Sequence, residues 1–193
     1  MLNRRALLAG ALALVCLAPA QALARSGKSP SSALVTNPTA GEPTDKGSLP
    51  QVLRSRELWA TIDVCDPSDQ PDTVGIRGSM PGDKHPHDRL WMSFHLQYLL
   101  SGTTTWTDLA TSAATTEYMY VGAGKTPARE DGTSFVIKPV QGKPAVTLRG
   151  VVYFQWRRNG TVLETVTETT TPGHRSLAGA DPAGYSAATC QIG

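Results

Sequence analysis

The chain has 193 residues, of which 40% are hydrophobic, and its 18 Lys and Arg nearly balance its 16 Asp and Glu. This length is enough for one domain with a substantial core but hardly for two. Nucleic-acid binding needs a clustered positive field. The balanced charge and the lack of Lys/Arg runs therefore argue against a nucleic-acid partner.

The first 24 residues have the three parts of a secretory signal. Arg4 and Arg5 give a basic start, and residues 22–24 (ALA) supply the small side chains that a signal peptidase needs. Residues 6–20 are apolar but too short to span a bilayer, which takes about 20 apolar residues. We predict a cleaved signal peptide and a secreted, periplasmic or extracellular protein without a transmembrane segment. The general and twin-arginine export routes both stay open.

Residues 25–51 are rich in Ser, Pro, Thr and Gly and almost lack large apolar side chains. Such a segment buries too little apolar surface to offset its ordering entropy. We predict a disordered tether over 25–51 and a folded domain over 52–193.

Within that domain, short alternating runs separated by turn residues predict strands rather than helices. The predicted strands span 58–65, 73–80, 89–99, 117–121, 134–137, 145–156, 161–169 and 187–192. Asn159–Gly160 between two of these runs predicts a tight hairpin, because both residues tolerate positive φ. The pattern indicates an all-β, antiparallel sandwich of about seven to eight strands, with a closed barrel as the alternative.

Two cysteines, Cys65 and Cys190, remain once Cys16 is removed with the signal. In an oxidising compartment they have one intramolecular pairing. We predict a disulfide that joins the first strand to the last, which favours the sandwich over the barrel. Two buried free thiols are the alternative.

Residues 52–193 resemble secreted bacterial domains of the immunoglobulin/fibronectin-III-like superfamily. The resemblance is carried by the strand at 90–98, by GVVYFQW at 150–156 with its hairpin, and by GYSAATC at 184–190. It implies an immunoglobulin-like sandwich and includes no catalytic motif. Antibody-type disulfides join two internal strands, whereas these cysteines lie near the domain ends, so the resemblance transfers no antigen-like binding surface.

One loop carries potential metal ligands. His85, His87 and Asp88 could supply two imidazoles and a carboxylate, which are ligands that zinc or copper uses. The alternative is a solvated polar loop. The segment from His85 to Arg89 is therefore a hypothetical metal- or small-ligand-binding site.

The tryptophans suggest a second kind of site. Trp59 and Trp91 fall off the apolar faces of their strands, so they are candidate ligand-binding residues, whereas Trp156 shares the apolar face and is predicted to be core. Coverage by a loop would explain the first two equally well. No Gly-x-Ser-x-Gly motif is present, although dispersed carboxylates leave a secreted hydrolase possible in principle.

The sequence thus favours a non-catalytic interaction or structural module with no cofactor, whose partner is an extracellular protein or an envelope component. The alternatives are a metal- or small-ligand-binding module that uses the His85–Arg89 loop, and a secreted hydrolase.

Overall fold

A computed structural model describes residues 49–174 and 178–193. The predicted signal peptide and nearly all of the predicted tether lie outside the described residues. Helix α1 (Leu49–Val52) falls where the tether was expected to meet the domain. In the part of the chain that the structure describes, no helix has the length and apolar character to cross a bilayer.

The described residues form nearly all-β structure, as predicted. The strands are β1 (Trp59–Cys65), β2 (Thr73–Pro81), β3 (Asp88–Leu99), β4 (Trp106–Asp108), β5 (Met119–Ala123), β6 (Ala128–Val136), β7 (Val146–Arg158), β8 (Thr161–Thr169) and β9 (Cys190–Ile192). Three of them differ clearly from expectation. Strand β4 lies in a segment expected to be irregular, β6 begins six residues before its predicted start, and β9 begins three residues after its own.

These strands form two antiparallel sheets that pack as a sandwich. The smaller sheet has the order β1-β2-β6. In the larger sheet β3 pairs with β7 from Asp88 to Leu99, so these two long strands form its centre. Strands β4 and β5 pair with the side of β3 that faces away from β7. Strands β8 and β9 pair with the side of β7 that faces away from β3. The larger sheet is therefore four strands wide near its two ends and narrower between them.

The core lies between the sheets and follows the alternation in the sequence. Its fully buried members from β3 and β7 are Leu90, Met92, Phe94, Leu96, Leu148, Val152, Phe154 and Trp156. Trp156 also donates its indole N–H to the Pro81 carbonyl at 3.0 Å. A Cβ at Gly150 would lie 2.6 Å from Thr170 Cγ2 and 2.9 Å from Ile76 Cδ1. The glycine therefore allows β7 to lie against the opposite sheet.

The predicted hairpin is confirmed. Strand β7 ends at Arg158 and β8 begins at Thr161, so Asn159 and Gly160 form a two-residue turn. Their φ angles are 49° and 83°. These positive values match the twist of the flanking strands, which is why Asn-Gly is favoured at such turns.

The predicted disulfide is also present. Cys65 and Cys190 are bonded, with an S–S distance of 2.03 Å and a Cα–Cα distance of 5.5 Å. Cys65 ends β1 in the smaller sheet, whereas Cys190 begins β9 in the larger one. The bridge thus joins the two sheets as well as the first and last strands.

Candidate functional site

The outer face of the larger sheet is the candidate site. Because side chains alternate along a strand, residues next to the buried core positions of β3 and β7 point away from the core. The cross-strand partners on this face include Arg89–Arg157, Trp91–Gln155, Ser93–Tyr153, His95–Val151 and Gln97–Arg149. Arginine and aromatic side chains are concentrated on β3 and β7, whereas the outer positions of β8 carry Thr165, Thr167 and Thr169.

Five of these side chains form what we call the arginine–aromatic cluster: Arg89, Trp91, Tyr118, Tyr120 and Arg157. The Arg157 guanidinium lies 4.7 Å from the centre of the Trp91 ring and 4.8 Å from that of Tyr118. The Arg89 guanidinium lies 5.5 Å from the centre of the Tyr120 ring, and Tyr120 itself contacts Trp91. Cation–π contacts of this kind hold the guanidinium groups in place.

The two arginines of the cluster have no carboxylate partner among the described residues. Arg157 donates from Nε and Nη2 to the side-chain oxygen of Gln155, which is neutral. Within residues 49–174 and 178–193, no ion pair joins Arg89 or Arg157 to an acidic side chain. By contrast, Arg77 pairs with Asp63. The cluster is therefore a fixed positive site.

A cavity of about 500 Å³ adjoins the cluster, lined by Pro86, His87, Arg89, Trp91, Asn159 and Gly160. It lies between the loop that precedes β3 and the β7–β8 turn. The indole nitrogen of Trp91 is buried and has no hydrogen-bond acceptor among the described residues. A buried donor without an acceptor costs about 1–3 kcal/mol. The cluster thus combines two positive groups with an unused donor.

A second arginine–aromatic contact lies toward the other end of the face. The Arg149 guanidinium lies 4.4 Å from the centre of the Trp106 ring and donates to the Gln97 side-chain oxygen at 2.8 Å. Gln97 in turn donates to Asp108 at 2.7 Å. Burial lowers the pKa of Arg149, and the nearby Asp108 charge opposes that shift. Asp108 thus partly balances the positive charge of Arg149, whereas no described carboxylate forms an ion pair with the arginines of the cluster.

His95 lies between the two ends of the face, 4.8 Å from the Tyr153 ring. Its Nε2 is 2.9 Å from Ser93 Oγ, and that hydroxyl donates its one proton to the Thr116 carbonyl. Nε2 must therefore carry the proton in this contact. Burial lowers the pKa of His95 despite the nearby Asp108 and Glu117 charges, which favours the neutral imidazole.

The predicted metal ligands are not gathered into a metal centre. Asp88 is fully buried and accepts from Arg158 Nε at 2.6 Å and from Arg158 Nη2 at 2.9 Å. His87 is exposed and lines the cavity beside the cluster instead. No three His, Cys, Asp or Glu side chains of the described segments are close enough together to hold one metal ion.

A buried carboxyl pair, Asp83 and Asp88, lies beneath the same loop and was not predicted. Burial and the neighbouring Asp88 raise the pKa of Asp83 to about 6. Asp83 Oδ1 accepts the His85 backbone N–H at 3.0 Å. Burial alone would raise the pKa of Asp88, but the hydrogen bonds from Arg158 outweigh it and lower that pKa. Neither carboxyl group is exposed, so a substrate cannot reach the pair. Its hydrogen bonds instead hold the loop in place.

The two candidate tryptophans lie in different environments. Trp91 belongs to the cluster, whereas Trp59 is stacked on His174 with the ring centres 4.2 Å apart. His174 also contacts Thr171 through Nε2. Burial lowers the pKa of His174, although the charge of Glu130 opposes the shift. A loop residue therefore covers Trp59, and only Trp91 lies on the candidate site.

Sequence reasoning placed Arg89 at the end of a candidate ligand-binding loop but missed Arg157 and the two tyrosines of the cluster. A signal was available, since Arg89 and Trp91 alternate with buried residues on β3, and Arg157 follows Gln155 on the same face of β7. The contacts among three strands became visible only with the strand register. Comparisons with protein-family models, curated proteins and solved structures found no match to this chain.

Proposed function

We propose that this chain is a secreted, non-catalytic binding module that holds its partner on the outer face of its larger sheet. The observation that carries the proposal is the arginine–aromatic cluster, in which Arg157 lies between two rings and has no acidic partner in the described part of the chain. Trp, Tyr and Arg are the residues that most often dominate binding energy at protein surfaces. The resemblance to immunoglobulin/fibronectin-III-like domains is retained as part of this proposal.

Two observations support an exported protein. The first is the signal-like N-terminus, and the second is the Cys65–Cys190 bond, because disulfides persist mainly in oxidising compartments. The bond also fixes the larger sheet to the smaller one, which gives the binding face a rigid support.

The cavity beside the cluster favours a second candidate function, the binding of a small anionic molecule. His87 and Arg89 supply cationic or hydrogen-bonding groups there, and Trp91 supplies an apolar wall. Its volume falls within the usual range for ligand pockets, about 300–1,000 Å³. We therefore retain the small-ligand alternative for the His85–Arg89 loop as the binding of a small anion in this cavity.

Site-specific photo-crosslinking tests the proposed binding face. We would place p-benzoyl-L-phenylalanine at Thr165, which is exposed and opposite Gln155 on the outer face. The matched control position is Val136, which is 58% exposed on the smaller sheet. After irradiation in the native extracellular or periplasmic fraction, we expect a discrete adduct from position 165 and none from position 136.

The adduct should also depend on the cluster. Arg157→Gln removes one positive charge from it, and Lys138→Gln removes one from an exposed loop. We expect the adduct to be lost in the first variant and retained in the second. Equal adducts from positions 165 and 136, or an adduct that is insensitive to Arg157→Gln, would contradict the proposal.

A further inference from the structure

The charge of the outer face points to the chemistry of its partner. Arg89, Arg149 and Arg157 all lie at strand positions of this face. The carboxylates on or beside this face in the described segments include Asp108, which lies beside Arg149, and Glu117, whose charge acts on His95. Neither forms an ion pair with Arg89 or Arg157, so the end of the face that holds these two arginines has two unpaired positive charges. An anionic partner would complement that end.

The residue types further favour a protein as the partner. Protein interfaces are enriched in Trp, Tyr and Arg and depleted in Lys. The four lysines in the described ranges, Lys84, Lys125, Lys138 and Lys143, all lie in loops between strands. Arginine rather than lysine therefore supplies the positive charge of this face. Planar guanidinium groups suit the two oxygens of a carboxylate.

The size of the face agrees with a protein partner. Strand β3 has 12 residues. At about 3.3 Å per residue and 4.8 Å per strand, a patch of that length and three to four strands wide covers roughly 570–760 Å². A stable protein interface buries about 800 Å² on each partner. The face thus offers about the area that a specific protein complex needs.

A second copy of this chain is a poor occupant. Two identical faces would bring the Arg89 and Arg157 pair of one copy toward cations of the other, and like charges across an interface cost several kcal/mol. An acidic face on a different protein would instead meet arginines already held by aromatic rings. Because these side chains are ordered before binding, less entropy is lost on association.

We infer that the partner is a protein with a carboxylate-rich surface, and that Arg157 anchors one of its carboxylates while Trp91 packs beside it. This inference rests on the proposed function, since it names the partner class of the same face.

The test measures the affinity of the folded chain for poly-L-glutamate, a protein-like polycarboxylate, by isothermal titration calorimetry at low salt. We expect Arg157→Gln to weaken binding at least tenfold and Lys138→Gln, with the same loss of charge, to weaken it less than twofold. Arg157→Lys keeps the charge but loses the planar fork, so it should also weaken binding severalfold. The unfolding midpoint of each variant confirms that it is folded.

Polygalacturonate, a carboxylated polysaccharide, and oligothymidylate are the comparison probes. Tighter binding of either one than of poly-L-glutamate would overturn the inference of a protein partner. So would the absence of binding to poly-L-glutamate, or equal losses in Arg157→Gln and Lys138→Gln. The crosslink from position 165 separates the two proposals: if it persists in any of these cases, the face still binds a partner, but of another chemistry.

Discussion

Replacing Cys65 and Cys190 together by alanine is expected to lower the free energy of unfolding by about 4–5 kcal/mol, the chain-entropy value for closing so long a loop. The two cysteines are 125 residues apart in sequence. The bond ties β1 of the smaller sheet to β9 of the larger one, so its loss frees both ends of the domain in the unfolded chain. Alanine suits these positions because Cys190 is buried among apolar residues.

Urea unfolding followed by tryptophan fluorescence measures this effect, since Trp156 is fully buried. The oxidised wild-type protein treated with reductant serves as the control and should match the double variant. In denaturant, the oxidised protein should show no free thiol from these two cysteines. A double variant within about 1 kcal/mol of the wild type would contradict the stabilising role of the bridge.

Asp83→Asn is expected to stabilise the protein at pH 7.5 by on the order of 1–3 kcal/mol. Burial and Asp88 raise the pKa of Asp83 from 3.8 to about 6. Because its pKa is higher in the folded state, Asp83 contributes its full stabilisation of the fold below about pH 4. This contribution to the free energy of unfolding is lost as the pH rises through 6. Asparagine keeps an oxygen for the His85 N–H and offers an N–H to Asp88, so it imitates the protonated acid at every pH.

The measurement is urea unfolding of wild type and variant at pH 4 and pH 7.5. The difference in unfolding free energy should be small at pH 4 and grow toward pH 7.5. The charged groups around Asp83 that could contribute are Asp88, His85 and Arg158, and all three are retained in the variant. Asp69→Asn, an exposed aspartate in the β1–β2 loop, is the matched control and should give a similar, small difference at both pH values. A variant destabilised equally at both pH values would contradict this account.

The sequence predicted the features that depend on local pattern. Alternation along β3 and β7 identified their buried faces, including Trp156, because side-chain direction in a strand has a period of two. Asn159–Gly160 identified the hairpin, because its two positions need positive φ. Two cysteines outside the predicted signal peptide identified the bridge by simple pairing.

Features that depend on strand register could not be predicted in the same way. The early part of β6, Arg129 to Gly132, is charged and polar and resembles a loop, yet it pairs with β2. Trp59 and Trp91 have similar sequence surroundings, but His174 from a distant loop covers only Trp59. The arginine–aromatic cluster joins β3, β5 and β7, and no segment of the sequence contains all of it.

Mapping by nuclear magnetic resonance tests the proposed binding face most directly. The ¹⁵N-labelled folded chain would be titrated with poly-L-glutamate while backbone, arginine Nε and tryptophan indole signals are recorded. We predict that the largest changes occur at Arg157, Arg89, Tyr120 and the Trp91 indole N–H, which is the buried donor without an acceptor. Changes concentrated on β1, β2 and β6, or on the lysine-bearing loops, would contradict the assignment of the larger sheet's outer face as the binding surface.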